Sequence, residues 1–242
     1  MEGLHRSFHR NYILIWEAMQ KNVMNKADEI IKMLHSLSGS NSPFELFNDW
    51  VTCMALSIAN TCTVIHDKVW KEREENYAAI MNKYNEKTTT AFAEMMAFLV
   101  EALEGITDVL SDVYMRGEMG NKATGQFFTP FNISELAANL GVRETSNDEI
   151  ITLNEPSCGG GGMIIAAAKH LHDKGIDYQK RMRVVAQDLD WRSVCMCYVQ
   201  LSFLGIDAIV AQGDTLSDPF RNGYDRSRLF RTPRNMGCLT IW

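Results

Sequence analysis

The sequence predicts an α/β protein in which a helical N-terminal part precedes a parallel, doubly wound sheet. Three observations carry this. Residues 1 to about 118 hold one proline, Pro43, and their apolar residues recur at helical spacing. The stretch RGEMGNKATG, residues 116–125, then breaks the pattern with three glycines. Beyond it, short apolar runs alternate with helical stretches in the order β-α-β-α-β, the signature of a parallel sheet.

In chain order, a helix is expected over 10–35, where Ile13, Trp16, Met19, Val23, Ile30, Ile31 and Leu34 mark one face. SLSGSNS (36–42) ends it. SPFE, Ser42 to Glu45, is a capping box with proline at the first helical position, and opens a helix over 43–62. A charged helix follows over 66–85 and a long one, rich in Ala, Met, Phe and Leu, over 89–115. Short breaks between them suggest an antiparallel bundle. Strands are expected at 149–155, 182–188 and 207–214, with helices at 161–175 and 190–205 between them, and a fourth strand at 237–242. This divides the chain into a helical domain, 1–118, and a sheet domain, 119–242.

The net charge is −6, and the acidity lies in residues 1–118, which carry 11 Lys and Arg against 17 Asp and Glu, while 119–242 balance at 13 and 13. Overall charge therefore gives no support to nucleic-acid binding, although a local basic patch can suffice. The six cysteines show no C-x-x-C spacing, and no signal peptide is read at the N-terminus, which fits reduced thiols in a cytoplasmic protein. No apolar run approaches the ~18–20 residues that span a bilayer. His170, His172 and Asp173 cluster, but the two histidines do not share a helical face, so no metal site is expected. Cys158, Cys195 and Cys197 read as packing residues.

The chemistry concentrates at EPSCGGGG, Glu155 to Gly162, between the first strand and the next helix. In an open parallel sheet, ligands bind beyond the carboxyl ends of the strands, where bare backbone and free helix N–H groups allow close approach. The dinucleotide pattern G-x-G-x-x-G fails, because its third glycine would fall on Ile164 or Ile165. A phosphate-binding P-loop fails because no Gly-Lys-Ser/Thr follows.

Four ordered segments resemble N6-adenine DNA methyltransferases, in particular the methylation subunit of type I restriction-modification systems. GQFFTP (125–130) is similar to the family segment that closes over the methionine part of S-adenosylmethionine, which implies contacts from Gln126, Phe127, Phe128, Thr129 and Pro130. Glu155, Pro156, Ser157, Cys158, Gly159, Gly160, Gly161, Gly162 and Met163 resemble the family's Asp-Pro-x-Cys-Gly-x-Gly-Gly loop, with Glu155 in place of Asp. Glu155 would hold the cofactor's ammonium or cap the glycine loop. QDLD (187–190) resembles the end of the second strand, where Asp188, preferred over Asp190, would accept from the ribose hydroxyls beside Leu189. GDTL (213–216) ends the third strand, where Asp214, with Thr215 and Leu216, would meet the adenine.

The resemblance implies a Rossmann-like S-adenosylmethionine-dependent methyltransferase fold and, as the family reaction, DNA methylation at adenine N6. It also implies DNA as a partner. The sequence departs from the family at one point. All five prolines are isolated, so the Asn/Asp-Pro-Pro-Phe/Tyr motif that grips a flipped adenine is missing, and SDPF (217–220) follows Asp214 too closely to replace it. Catalytic residues are therefore unassigned, and the fold is expected to be incomplete on its C-terminal side, through truncation or as a shortened family member. Arg221, Arg226, Arg228, Arg231 and Arg234 face one acid, Asp225, and would meet phosphates or a partner's acidic face, or form a solvated loop. The alternative is a non-catalytic interaction module that dimerises, or pairs with a partner subunit, through an open sheet edge ending in CLTIW.

Overall fold

In the helical part, local signals set where each helix starts. The computed structural model describes residues 22–39, 41–119, 127–142, 149–219 and 225–238. Helix α1 covers 22–37 of these; the earlier turns expected from residue 10 lie outside the described residues. Helix α2 (Pro43–Thr61) opens on the expected capping box: Glu45 N–H donates to Ser42 Oγ at 3.2 Å, and Ser42 N–H donates to Glu45 Oε2 at 2.8 Å. Helices α3 (Lys68–Met81) and α4 (Glu86–Leu103) start on Asp67 and Asn85, each accepting from an amide in the first turn. Such caps contribute about 1 kcal/mol each.

The single helix expected over 89–115 is two. Gly105, Ile106 at φ 46° and the capping residue Asp108 turn the chain before α5 (Val109–Arg116). Helix α6 (Phe131–Gly141) follows, and the sequence reading did not anticipate it.

The sheet then forms as the alternation predicts: β1 (Ile151–Glu155), α7 (Gly162–Asp173), the short α8 (Tyr178–Arg181), β2 (Met182–Asp188), α9 (Trp191–Phe203) and β3 (Asp207–Gln212). Its order is β1-β2-β3-β4, with the first three strands parallel. Strand β4 (Leu229–Arg231) lies antiparallel on β3, with Phe230 opposite Val210. Of the stretch 237–242 expected as a fourth strand, Gly237 and Cys238 lie in and just after a turn, and the rest falls outside the described residues. Stacking explains strand β4: Phe230 is buried and lies 4.5 Å from the Tyr198 ring, with the Arg73 guanidinium 5.1 Å from its centroid.

Three strands running outward from β1 are one half of a doubly wound arrangement. With crossovers of the right-handed sense usual for such units, both running in the same direction, α7 and α9 fall on one face. Accordingly Met182, Val184, Ala186, Ala208 and Val210 are buried beneath them, while Thr152, Asn154 and Arg183 on the other face are exposed. Among the described residues β1 is paired along one edge only.

Helix α9 joins the two parts of the molecule. Nearly all of its residues are buried, and α2 packs along it. Its Arg192 is held by Asp190 at 3.1 Å and lies over the rings of Phe44 and Tyr114. The buried apolar residues form a continuous core from α1 to β4, including Trp50, Leu99, Tyr114, Ile164, Val199 and Phe230.

Candidate functional site

The glycine loop sits where the carboxyl ends of the strands meet α5. Cys158 N–H donates to Gln187 O at 2.9 Å, and Gly159 N–H donates to Asp188 Oδ2 at 2.8 Å, so the loop is sewn to the end of β2. Gly159 and Gly161 adopt φ of 53° and 99°, which favour glycine. Gly161 is the N-cap of α7, and no side chain caps that helix. Its first amides are thus left for another partner.

A cavity of about 270 Å³ lies over this loop. Of the residues expected from sequence, Phe127, Phe128, Thr129, Ser157, Cys158, Gly159, Gly160, Gly162, Met163 and Asp188 line it. Phe128 packs edge-on against Tyr114 at 5.1 Å and covers Gly159. Pro130 stands at the start of α6, accepting from Ile133 and Ser134 N–H groups. Gln126 lies outside the described residues.

Glu155 and the residues after β3 surround the cavity without lining it. Glu155 Oε1 accepts from Ser157 N–H at 3.2 Å, the loop-capping role. Burial, helped by the nearby Asp188 charge, pushes its carboxyl above the ordinary value despite that hydrogen bond. Pro156 O accepts from Thr215 Oγ1 at 2.6 Å, which ties the two loops together. Asp214 accepts from Leu216 N–H at 3.0 Å; this and Ser217 hold its carboxyl below the usual range. Leu189 and Leu216 are 70% and 93% exposed, apolar side chains left standing at the strand ends. Asp188 Oδ1 accepts from Asp190 N–H at 3.0 Å, whereas Asp190 turns to Arg192 and Ser193. Of the two acids, Asp188 is the one in the cavity wall.

Sequence reasoning missed three lining residues: Asp108, Ser111 and Ser134. Asp108 is 5% exposed and caps α5, accepting from Ser111 N–H at 3.2 Å. Gln200 Nε2 donates to both Asp108 Oδ1 and Gly160 O, each at 2.8 Å. Burial pushes the Asp108 carboxyl upward, partly offset by these hydrogen bonds. Ser111 Oγ lies close enough to favour its charged form, yet meets no partner at hydrogen-bonding geometry, and neither does Ser134 Oγ. The Asp108-x-x-Ser111 capping pattern was readable; its placement against a loop some fifty residues later was not.

A family profile described as N-6 DNA Methylase matches residues 106–230. The chain belongs to this family. Its cofactor is S-adenosylmethionine, and the matched stretch runs from just before Asp108 into β4. The fold is similar to that of a protein described as a class I S-adenosylmethionine-dependent methyltransferase from Listeria monocytogenes, with 16% identity and a TM-score of 0.50 over 84% of this chain and 55% of that one. A type I restriction-modification methyltransferase subunit from Streptococcus thermophilus aligns at 13% identity and a TM-score of 0.42, over 87% of this chain and 61% of that one. The chain thus spans less than two thirds of either protein. No curated protein matches it.

The residues present suit the N-6 methylase cofactor better than a dinucleotide. Among the described residues, the cavity is lined by Asp108 and Asp188 and by no Lys or Arg. A pyrophosphate would face these carboxylates, while a sulfonium and an ammonium would be attracted to them. The enclosed volume is smaller than the ~300–1,000 Å³ of whole-ligand pockets. Larger cavities exist: one of about 690 Å³, lined by Leu103, His172, Tyr178 and Phe203, lies at the opposite end of the strands.

Elsewhere the expected residues play packing roles. Cys195 and Cys197 are fully buried, Cys158 is 5% exposed, and all six cysteines are free. His170 Nδ1 pairs with Asn139 Oδ1 at 2.6 Å, and His172 lies against Tyr178. No cluster of metal-ligating side chains occurs among the described residues. No helix among them is long and apolar enough to cross a membrane. In the arginine-rich stretch, Arg226 pairs with Asp67 at 2.7 Å and Arg234 donates to Gln179 O, while Arg228 and Arg231 are exposed; Arg221 lies outside the described residues.

Proposed function

We propose that this chain binds S-adenosylmethionine over the Gly159–Gly162 loop and serves adenine-N6 methylation of DNA within a restriction-modification assembly, without completing methyl transfer by itself. The observation that carries this is the cavity at the strand ends, acid-lined and, among the described residues, free of bases, with Phe128 as its roof. When bound, the cofactor supplies an activated sulfonium methyl group. The chain's own part is positioning. Asp188 has both oxygens fixed by backbone N–H groups, which orients its remaining lone pairs toward ribose hydroxyls. Asp214, kept ionised, accepts from an adenine amino group. Leu189 and Leu216 cover the base on either side, hiding apolar surface that is otherwise wet. DNA would be met by Arg228 and Arg231, and the Pro-Pro motif would be supplied from outside these 242 residues.

A second reading is favoured by the single pairing of β1 among the described residues: a non-catalytic module that pairs through this edge. Calorimetric titration separates the two. Heat of binding with S-adenosylmethionine or S-adenosylhomocysteine is expected, together with no transfer of tritiated methyl to DNA by the chain alone. Silence at millimolar ligand leaves the second reading.

A further inference from the structure

We infer that Asp108, Ser134 and the first turn of α7 form a receptor for a zwitterion, the α-amino-acid end of the bound cofactor. The ammonium goes to Asp108; the carboxylate goes to the Ser134 hydroxyl and the α7 amides. This rests on the S-adenosylmethionine reading above and assigns the amino-acid end to residues from the helices flanking the loop.

Three features converge on Gly162. A Cβ placed there would stand 2.7 Å from Asp108 Oδ2 and 3.6 Å from Ser134 Oγ. Asp108 Oδ1 is committed, accepting from Ser111 N–H and Gln200 Nε2, which leaves Oδ2 on the cavity side. Ser134 is fully buried on α6, and its hydroxyl has no hydrogen-bond partner. A buried hydroxyl left without a partner is destabilising, so a ligand that satisfies it gains correspondingly. The third feature is the start of α7, which no side chain caps.

These features together exclude simpler ligands. An anion alone would be drawn to the helix start and repelled by Asp108. A cation alone would be drawn to Asp108 and leave the amides and the Ser134 hydroxyl unsatisfied. A group with both charges a few ångströms apart satisfies all three. Glu155, the other carboxylate near the loop, is occupied with Ser157 N–H and does not line the cavity. Burial also disfavours the ionised form of Asp108, a cost that an ammonium partner removes.

The test compares S-adenosylhomocysteine with 5′-methylthioadenosine, which shares the nucleoside and thioether but lacks the amino-acid end. Affinities are measured by calorimetry on the full chain, as wild type, Asp108→Asn and Ser134→Ala. Asparagine keeps the acceptor for Gln200 and Ser111 and removes the charge. The wild type is expected to prefer S-adenosylhomocysteine. Asp108→Asn should weaken that ligand roughly 10- to 100-fold, the range for a hydrogen bond to a charged group, and leave methylthioadenosine within about twofold. Ser134→Ala, the milder change should Asp108→Asn not fold, should weaken S-adenosylhomocysteine roughly fivefold with the same selectivity. Equal affinity of the wild type for both ligands, or equal loss of both in the variants, overturns the inference alone. Failure of the wild type to bind either overturns the cofactor reading, and this inference with it.

Discussion

Gly160 has no room for a side chain. A Cβ there would overlap Ser111 Oγ and stand 3.2 Å from Met196 Cε. At Gly159 the obstacle is Phe128 at 2.9 Å, and at Gly161 a φ of 99° adds backbone strain to a 3.3 Å approach by Cys197 Sγ. The run of glycines is therefore required by the protein's own packing as well as by any ligand. Gly160→Ala should destabilise the fold by about 1–3 kcal/mol, the usual cost of overfilling a packed site. Because the nearest obstacle is a single hydroxyl, adding Ser111→Ala should recover part of that loss. Urea denaturation of the two single variants and the double variant measures the coupling; strict additivity would show that Ser111 is not the obstacle. The sequence made the need for bare backbone legible. It could not show that a serine and an aspartate some fifty residues earlier create half of it.

Helix α9 is the element on which the loop and α5 both depend, and Gln200 is the side chain that joins them. Fully buried, it accepts from Leu110 N–H at 3.0 Å and donates to Asp108 and to Gly160 O. Gln200→Leu keeps the volume and strands these polar groups, so a loss of about 3 kcal/mol or more is expected in urea denaturation. A loss below about 1 kcal/mol would mean that water or rearrangement replaces the amide. At this scale, elements set by local chemistry were legible: the Ser42–Glu45 box, β1 to β3, and the helices between them. The break at Gly105–Asp108 was written in turn and cap residues but was masked by the apolar run on both sides. Strand β4 was illegible because three residues carry no periodicity; it exists through pairing with β3 and the stacking of Phe230 on Tyr198. The site was legible in the same degree: the strand-end acids and the loop came from motifs, the cavity floor from contacts no motif spans.

At the scale of the molecule, the core runs unbroken from the helical part into the sheet, with Arg192 and Gln200 both bridging the junction. Unfolding in urea should then be one transition, with the fluorescence of the five tryptophans, among them Trp50 and Trp70 in the helices and Trp191 beside the sheet, coinciding with far-ultraviolet circular dichroism. Separate midpoints would show that the two parts unfold independently. The half-sheet has a further consequence for access. Strand β1 has a neighbour on one side only among the described residues, and Glu155 at its end stands beside the loop. A ligand seated over Gly159–Gly162 is bordered by α5, α6 and β2, and among the described residues no strand pairs along the outer edge of β1. Whatever pairs along that edge, a further stretch of chain or another molecule, would therefore also border the loop, and would share in shaping the place from which a methyl group departs.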